Sequence, residues 1–125
     1  MTIQSKIDIA TTFLTMTASG SVREAYALYV ADAFTHHNAY FPGDRESLLV
    51  AMEQSAASEP NKSLTVKQVI ESGDRVAVLS HLRRAQVDQE YAVVHILRFE
   101  GSKIVEMWDV AQEVPKDSPN ALGMF

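Results

Sequence analysis

The 125-residue sequence contains no cysteine. That removes disulfides, thiolate nucleophiles and cysteine-ligated zinc together, and it fits a reducing compartment such as the cytoplasm. Positive charge is scarce: 11 Lys and Arg stand against 16 Asp and Glu, a net charge of −5. The basic residues are scattered, with Arg83-Arg84 the only adjacent pair, so the clustered cations that nucleic acid demands are missing. No apolar run is long enough to span a bilayer. The stretch 7–18 is fairly apolar, but Asp8 interrupts it, and Ile3, Ile7, Ala10 and Leu14 recur at helical spacing. It reads as an amphipathic helix of the fold rather than a signal peptide. There is no Gly-x-Ser-x-Gly turn for a serine nucleophile and no His-x-x-x-His pair. Neither nucleic acid nor membrane is an expected partner.

What is present suits one globular domain, residues 1–125. The hydrophobic fraction is 46% and the charged fraction 22%, which is ordinary for a chain that buries a core. The first third reads helical. A helix from Ile3 to Ala18 stops at Gly20. Ser21-Val22-Arg23-Glu24 is a capping box, opening a second helix with Val22, Ala25, Tyr26, Leu28 and Tyr29 on its apolar face. That helix fades into Phe34-Thr35-His36-His37-Asn38. Asp44 caps a third helix striped with Leu48, Leu49, Met52 and Ala56. The period then changes to that of strands over 64–71, 75–84, 90–99 and 103–114, joined by hairpin turns such as Ser72-Gly73-Asp74 and Gly101-Ser102. Loops this short make the strands antiparallel. Helices followed by a meander define an α+β protein, three helices on a curved antiparallel sheet. The tail 115–125 is irregular, with Met124-Phe125 expected to tuck back.

Candidate functional residues are those that break the apolar strand pattern. His95 lies within Tyr91 to Phe99 and shares a face with Val93, Leu97 and Phe99, the expected core face; an inward imidazole must find a partner or lose its charge. Asp109, between Trp108 and Val110, is costly to bury unless paired or protonated. A plain turn at Gly101-Ser102 pairs Glu100 with Lys103 and His95 with Trp108, which turns Asp109 to the opposite face. One extra residue in the last strand brings His95 and Asp109 together; the sequence alone leaves both registers open. His81 has an ambiguous register and reads equally as a core histidine bonded to a carbonyl. Of His36 and His37, neighbours pointing different ways, at most one enters a pocket. Trp108 walls a pocket or fills the core, and Tyr40 and Phe41 close a pocket mouth or simply pack. His37, His81, His95 and Asp109 need no metal to be useful, so none is expected.

These segments resemble the SnoaL-like, polyketide cyclase-type family of the nuclear-transport-factor-2-like superfamily. His36-His37-Asn38 is similar to the family's segment after the second helix. Val69 to Val78 with Ser80-His81 is similar to its first hairpin, Ala92 to Glu100 to its third strand, and Lys103 to Asp109 to its Gly-Lys-Ile-x-Glu-x-Trp-Asp segment. The resemblance implies a cystatin-like, cone-shaped α+β barrel with an internal cavity, a bulged last strand, and often a homodimer. It implies Asp109 as general acid/base, His95 as a ligand-holding residue, and His37 and Asn38 as pocket lining. Met107 stands where many relatives carry His, and His95 where close relatives often carry Asp. The expectation is a cofactor-free acid/base enzyme (aldol condensation, cyclisation or isomerisation) with catalytic Asp109 and His95 and with His37, Asn38, His81, Trp108 and Tyr40 binding substrate. The alternative is a non-catalytic small-molecule binding protein of the same fold. Apolar residues on both faces of the sheet further imply a homodimer through its outer face.

Overall fold

The computed structural model describes residues 4–125. Helix α1 spans Lys6–Ala18. The Ser5 hydroxyl oxygen accepts the Asp8 backbone N–H at 3.1 Å, satisfying one of the free amides of the first turn. Ile9, Ala10, Phe13 and Leu14 recur along one face and are buried. The helix ends at Gly20, whose φ of +100° suits a residue without a side chain. Helix α2 spans Val22–Tyr29 from Ser21, but the Ser21 side chain makes no cap hydrogen bond, so the expected capping box is not formed.

The second helix does not fade into a loop. It passes directly into strand β1, Val30–His36. Val30, Phe34 and His36 turn inward and Thr35 outward, a strand alternation too short and too interrupted by alanine to stand out in the sequence. Helix α3, Arg45–Ser58, begins as expected: Asp44 accepts the Ser47 backbone N–H at 2.9 Å and its hydroxyl at 2.6 Å.

Strands β2 (Lys62–Ser72), β3 (Arg75–Arg84), β4 (Gln89–Glu100) and β5 (Lys103–Glu113) form the antiparallel meander. Tight turns at Gly73 and Gly101 join two of its hairpins; both glycines sit at φ +59°, where a side chain is strained. The sheet order is β1-β5-β4-β3-β2, and β1 runs parallel to β5. The sheet is therefore mixed and open, with β1 and β2 as edges. The helices lie over one face, α1 against β2 and β3 and α2 between α1 and α3. Between helices and sheet sits the core of Phe13, Tyr26, Leu48, Leu49, Val76, Val78, Leu97 and Ile104.

One irregularity sets the register of the last hairpin. Glu100 pairs with Lys103 and Phe99 with Ile104, but Arg98 pairs with Glu106. Val105 is the extra residue, and Ile104 and Val105 are both buried. Beyond it His95 lies opposite Asp109 and Ile96 opposite Trp108. Inserting one alanine after Glu106 moves every later residue of β5 by one position, which swings Trp108 into the core opposite His95 and Asp109 out of it. The insertion variant is expected to lose at least about 3 kcal/mol of stability, read as a lowered midpoint in urea unfolding. An unchanged midpoint refutes the role given to this register.

Candidate active site

The inner face of the sheet carries three cross-strand rows. Val76, Leu97 and Met107 form one; Val78, His95 and Asp109 the next; Ser80, Val93 and Ala111 the third. The ionisable pair is thus flanked by apolar residues on both sides. His95 and Asp109 line an internal pocket with Phe13, Leu14, Thr17, Tyr26, Leu48, Met52 and Met107. The pocket volume is about 40 Å³, room for a few waters at roughly 10–15 Å³ each. A larger open depression of about 240 Å³ runs along Thr11, Thr12, Thr15 and Met16 on α1, but it offers no ionisable group and is not the candidate.

Asp109 is oriented by Asn38. The Asn38 Oδ1 accepts the Tyr40 backbone N–H at 3.0 Å, which leaves Nδ2 to donate to Asp109 Oδ2 at 3.1 Å. Asn38 is in turn held by His36. The buried His36 ring accepts the Asn38 backbone N–H on Nδ1 at 3.1 Å, so its Nε2–H donates to the Pro42 carbonyl at 2.6 Å. That pair of bonds fixes a neutral tautomer. His36, His37 and Asn38 therefore divide their work: His36 pins the loop and Asn38 reaches the carboxylate.

His95 has a different environment. Its Nδ1 is buried with no hydrogen-bond partner, and so is the hydroxyl of Ser80, two positions along β3 from the residue facing His95. Burial pushes the imidazole pKa down, and the Asp109 charge opposes that shift without reversing it. His95 is the neutral partner of the pair.

Four of the residues that the sequence offered for substrate binding lie away from this pocket. His37 and Trp108 face the outer side of the sheet. Their rings stack at 4.9 Å, the His37 Nε2 lies 2.7 Å from Glu106, and the Arg75 guanidinium sits 5.2 Å from the Trp108 ring centre. Hydrogen bonds from His37 first, and from Arg98 next, hold the Glu106 carboxyl below its ordinary pKa. His81 is also outward, 2.7 Å from Glu90 and stacked on Phe125, which confirms that the tail tucks back. Tyr40 is 89% exposed and closes nothing. Conversely, Tyr26 had been read only as an apolar helix residue, yet it lines the pocket. The signal available was a residue on the buried stripe of a helix that carries a hydroxyl.

A small α+β domain with helices over an open sheet, and a half-buried His–Asp pair in the space between, is the class this architecture defines. The model of the SnoaL-like domain matches residues 10–107, and the chain belongs to that family. In structure it is similar to IdmH, a candidate polyketide cyclase from Streptomyces antibioticus, at 21% identity and TM-score 0.76 over 87% of this chain and 93% of that one. It is also similar to a candidate polyketide cyclase from Acidithiobacillus ferrooxidans (17%, TM-score 0.72, 90% and 92%). A third similar structure is AclR, a candidate hydroxylase from Streptomyces galilaeus (21%, TM-score 0.67, 86% and 81%). No curated protein matches the sequence.

The buried imidazole has a measurable signature. The unfolded chain protonates His95 near its ordinary pKa of 6.5, whereas the folded chain does so only at lower pH. Stability is therefore flat in this group above about 6.5 and falls as pH drops below it. His95→Gln removes the titration. Its unfolding free energy should fall less steeply with acid than the wild type's, by up to about 1.4 kcal/mol per pH unit, in denaturant titrations between neutral and mildly acidic pH. Equal slopes refute the assignment.

Proposed function

We propose that this chain is a cofactor-free acid–base enzyme acting on a small molecule with an acidic C–H beside a carbonyl. Asp109 takes the proton from carbon, and neutral His95 donates a hydrogen bond to the enolate oxygen as charge develops there. The observation that carries this reading is the placement of His95 directly opposite Asp109 on the inner, pocket-lining face. Asn38 supports it by occupying one carboxylate oxygen and orienting the other. The enolate then serves aldol addition, cyclisation or isomerisation. A pocket this small admits an organic substrate only when its wall moves, and the unbranched Met52 and Met107 are the side chains that yield most readily.

Deuterium exchange at the central carbon of 2,4-pentanedione, followed by proton NMR in D₂O, tests the chemistry. The wild type should accelerate exchange, and Asp109→Asn should cut that acceleration roughly 10²–10⁴-fold with its thermal unfolding midpoint nearly unchanged. Exchange by Asp109→Asn at the wild-type rate refutes the assignment. Binding of the diketone without exchange by either protein assigns the pocket to binding alone.

We also infer self-association through the outer sheet face. Ile70, Ala77, Ile96 and Trp108 form one apolar row across four strands, and Leu79, Val94 and Val110 continue it in the next. Ile70 and Val110 are 63% and 71% exposed. Two such rows on one open face suit a second copy of the same surface. Sedimentation should give a dimer at micromolar concentration and a monomer for Val110→Glu. A wild-type monomer at high micromolar concentration refutes the proposal.

A further inference from the structure

Resting on the acid–base reading above, the geometry points to Tyr26 as a second oxyanion donor. We propose that its phenol O–H, on the helix wall of the pocket that holds His95 and Asp109, donates to the ligand oxygen that gains charge as Asp109 removes the proton from carbon. Three observations support it. The Tyr26 ring is buried and immobilised, 5.4 Å from Phe13 and 6.1 Å from Phe34, with the Arg45 guanidinium 5.5 Å from its centre and bonded to the Tyr26 carbonyl at 3.2 Å. A donor so fixed needs no reorganisation when charge appears. Second, the hydroxyl is uncommitted. Among the described residues no hydrogen bond engages the Tyr26 hydroxyl, the one side-chain bond to Tyr26 reaching its carbonyl, whereas Thr17, the other hydroxyl of the pocket wall, is spent on the Leu14 carbonyl at 2.9 Å. Phenylalanine would fill the same space, so packing alone does not call for the hydroxyl. Third, the group stays protonated: burial first, and the Asp109 charge besides, push the phenol pKa up, outweighing Arg45.

The step balances within the pocket. The C–H bond breaks, its proton moves to the Asp109 carboxylate, its electron pair forms the carbon–carbon double bond, and the former carbonyl pair moves onto oxygen. One negative charge passes from Asp109 to the ligand, where the Tyr26 O–H meets it. The reverse transfer restores both groups.

Nitromethane and acetate make the test. Nitromethane is a carbon acid with few non-hydrogen atoms, so it asks little opening of the pocket, and its nitronate anion has the electron count and planar two-oxygen shape of acetate. Deuterium exchange into nitromethane should slow by roughly 10²–10³-fold in Tyr26→Phe, in kcat and with KM within about threefold, while the thermal midpoint holds. Separately, acetate is titrated by NMR into Asp109→Asn, where no carboxylate repels it, and into the Asp109→Asn, Tyr26→Phe double variant. The added Tyr26→Phe change should weaken acetate binding about tenfold or more. Equal acetate affinity in the two proteins, or no acetate binding to Asp109→Asn, overturns the proposal whatever happens to nitromethane. Tenfold weakening together with no wild-type exchange of nitromethane supports Tyr26 as an oxyanion donor and counts against the acid–base reading instead.

Discussion

A single extra residue in β5 decides what kind of surface the sheet presents to the helices. Strand side chains alternate with period two, so everything beyond Val105 depends on that insertion. With it, Asp109 faces inward beside His95 and Trp108 faces outward. Were Val105 instead paired with Arg98 in plain register, the interior would hold an indole and the carboxylate would sit in solvent. The same shift builds both faces at once. It gives the interior a titratable pair, and it gives the exterior the Trp108–His37 stack with Glu106 bridging His37 and Arg98.

The interior so formed is expensive. The unpartnered His95 Nδ1 and Ser80 hydroxyl each cost on the order of 1–3 kcal/mol relative to a satisfied group. A core evolved only for stability would place apolar residues in both positions, as it does at Val76, Val78, Val93 and Leu97 around them. By contrast, the loop after β1 is fully committed: His36 uses both ring nitrogens and Asn38 both ends of its amide. Rigid satisfaction on one side of Asp109 and unspent polar capacity on the other is the asymmetry expected where a ligand completes the hydrogen bonding.

The sequence made legible whatever depends on local pattern. Gly20, Asp44 and the turns at Gly73 and Gly101 mark element ends because backbone geometry demands those residues. His95 and Asp109 stood out because each interrupts an apolar strand. Strand β1 did not stand out, because its pairing is with β5, far along the chain, and seven residues of modest alternation follow a helix without a break. Face assignments failed for the same reason. Which of His36 and His37 turns inward is set by the parallel register with Met107, not by anything in the dipeptide. Trp108 was given to the pocket by adjacency to Asp109, yet neighbours in a strand point to opposite faces. His81 was undecidable because both faces of β3 are apolar.

That double apolarity also bears on the ligand. The identities of 17–21% to the similar structures carry the fold and not the chemistry, so the ligand class must be argued from the wall itself. The polar row of His95 and Asp109 lies between the Leu97–Met107 row and the Val93–Ala111 row. Across from it, Tyr26 is the helix side chain that brings a free hydroxyl, while Phe13, Leu14, Leu48 and Met52 bring none. A ligand seated here meets hydrogen-bonding groups over one narrow band, with the Ser80 hydroxyl beside it and mostly hydrocarbon on either side. Two hydrophilic ends would leave at least one end buried against apolar walls at a cost no contact repays. On the proposed acid–base reading, the wall favours a molecule with one carbonyl-type head group set within an apolar frame, with that head turned toward the strand pair that the Val105 bulge aligned.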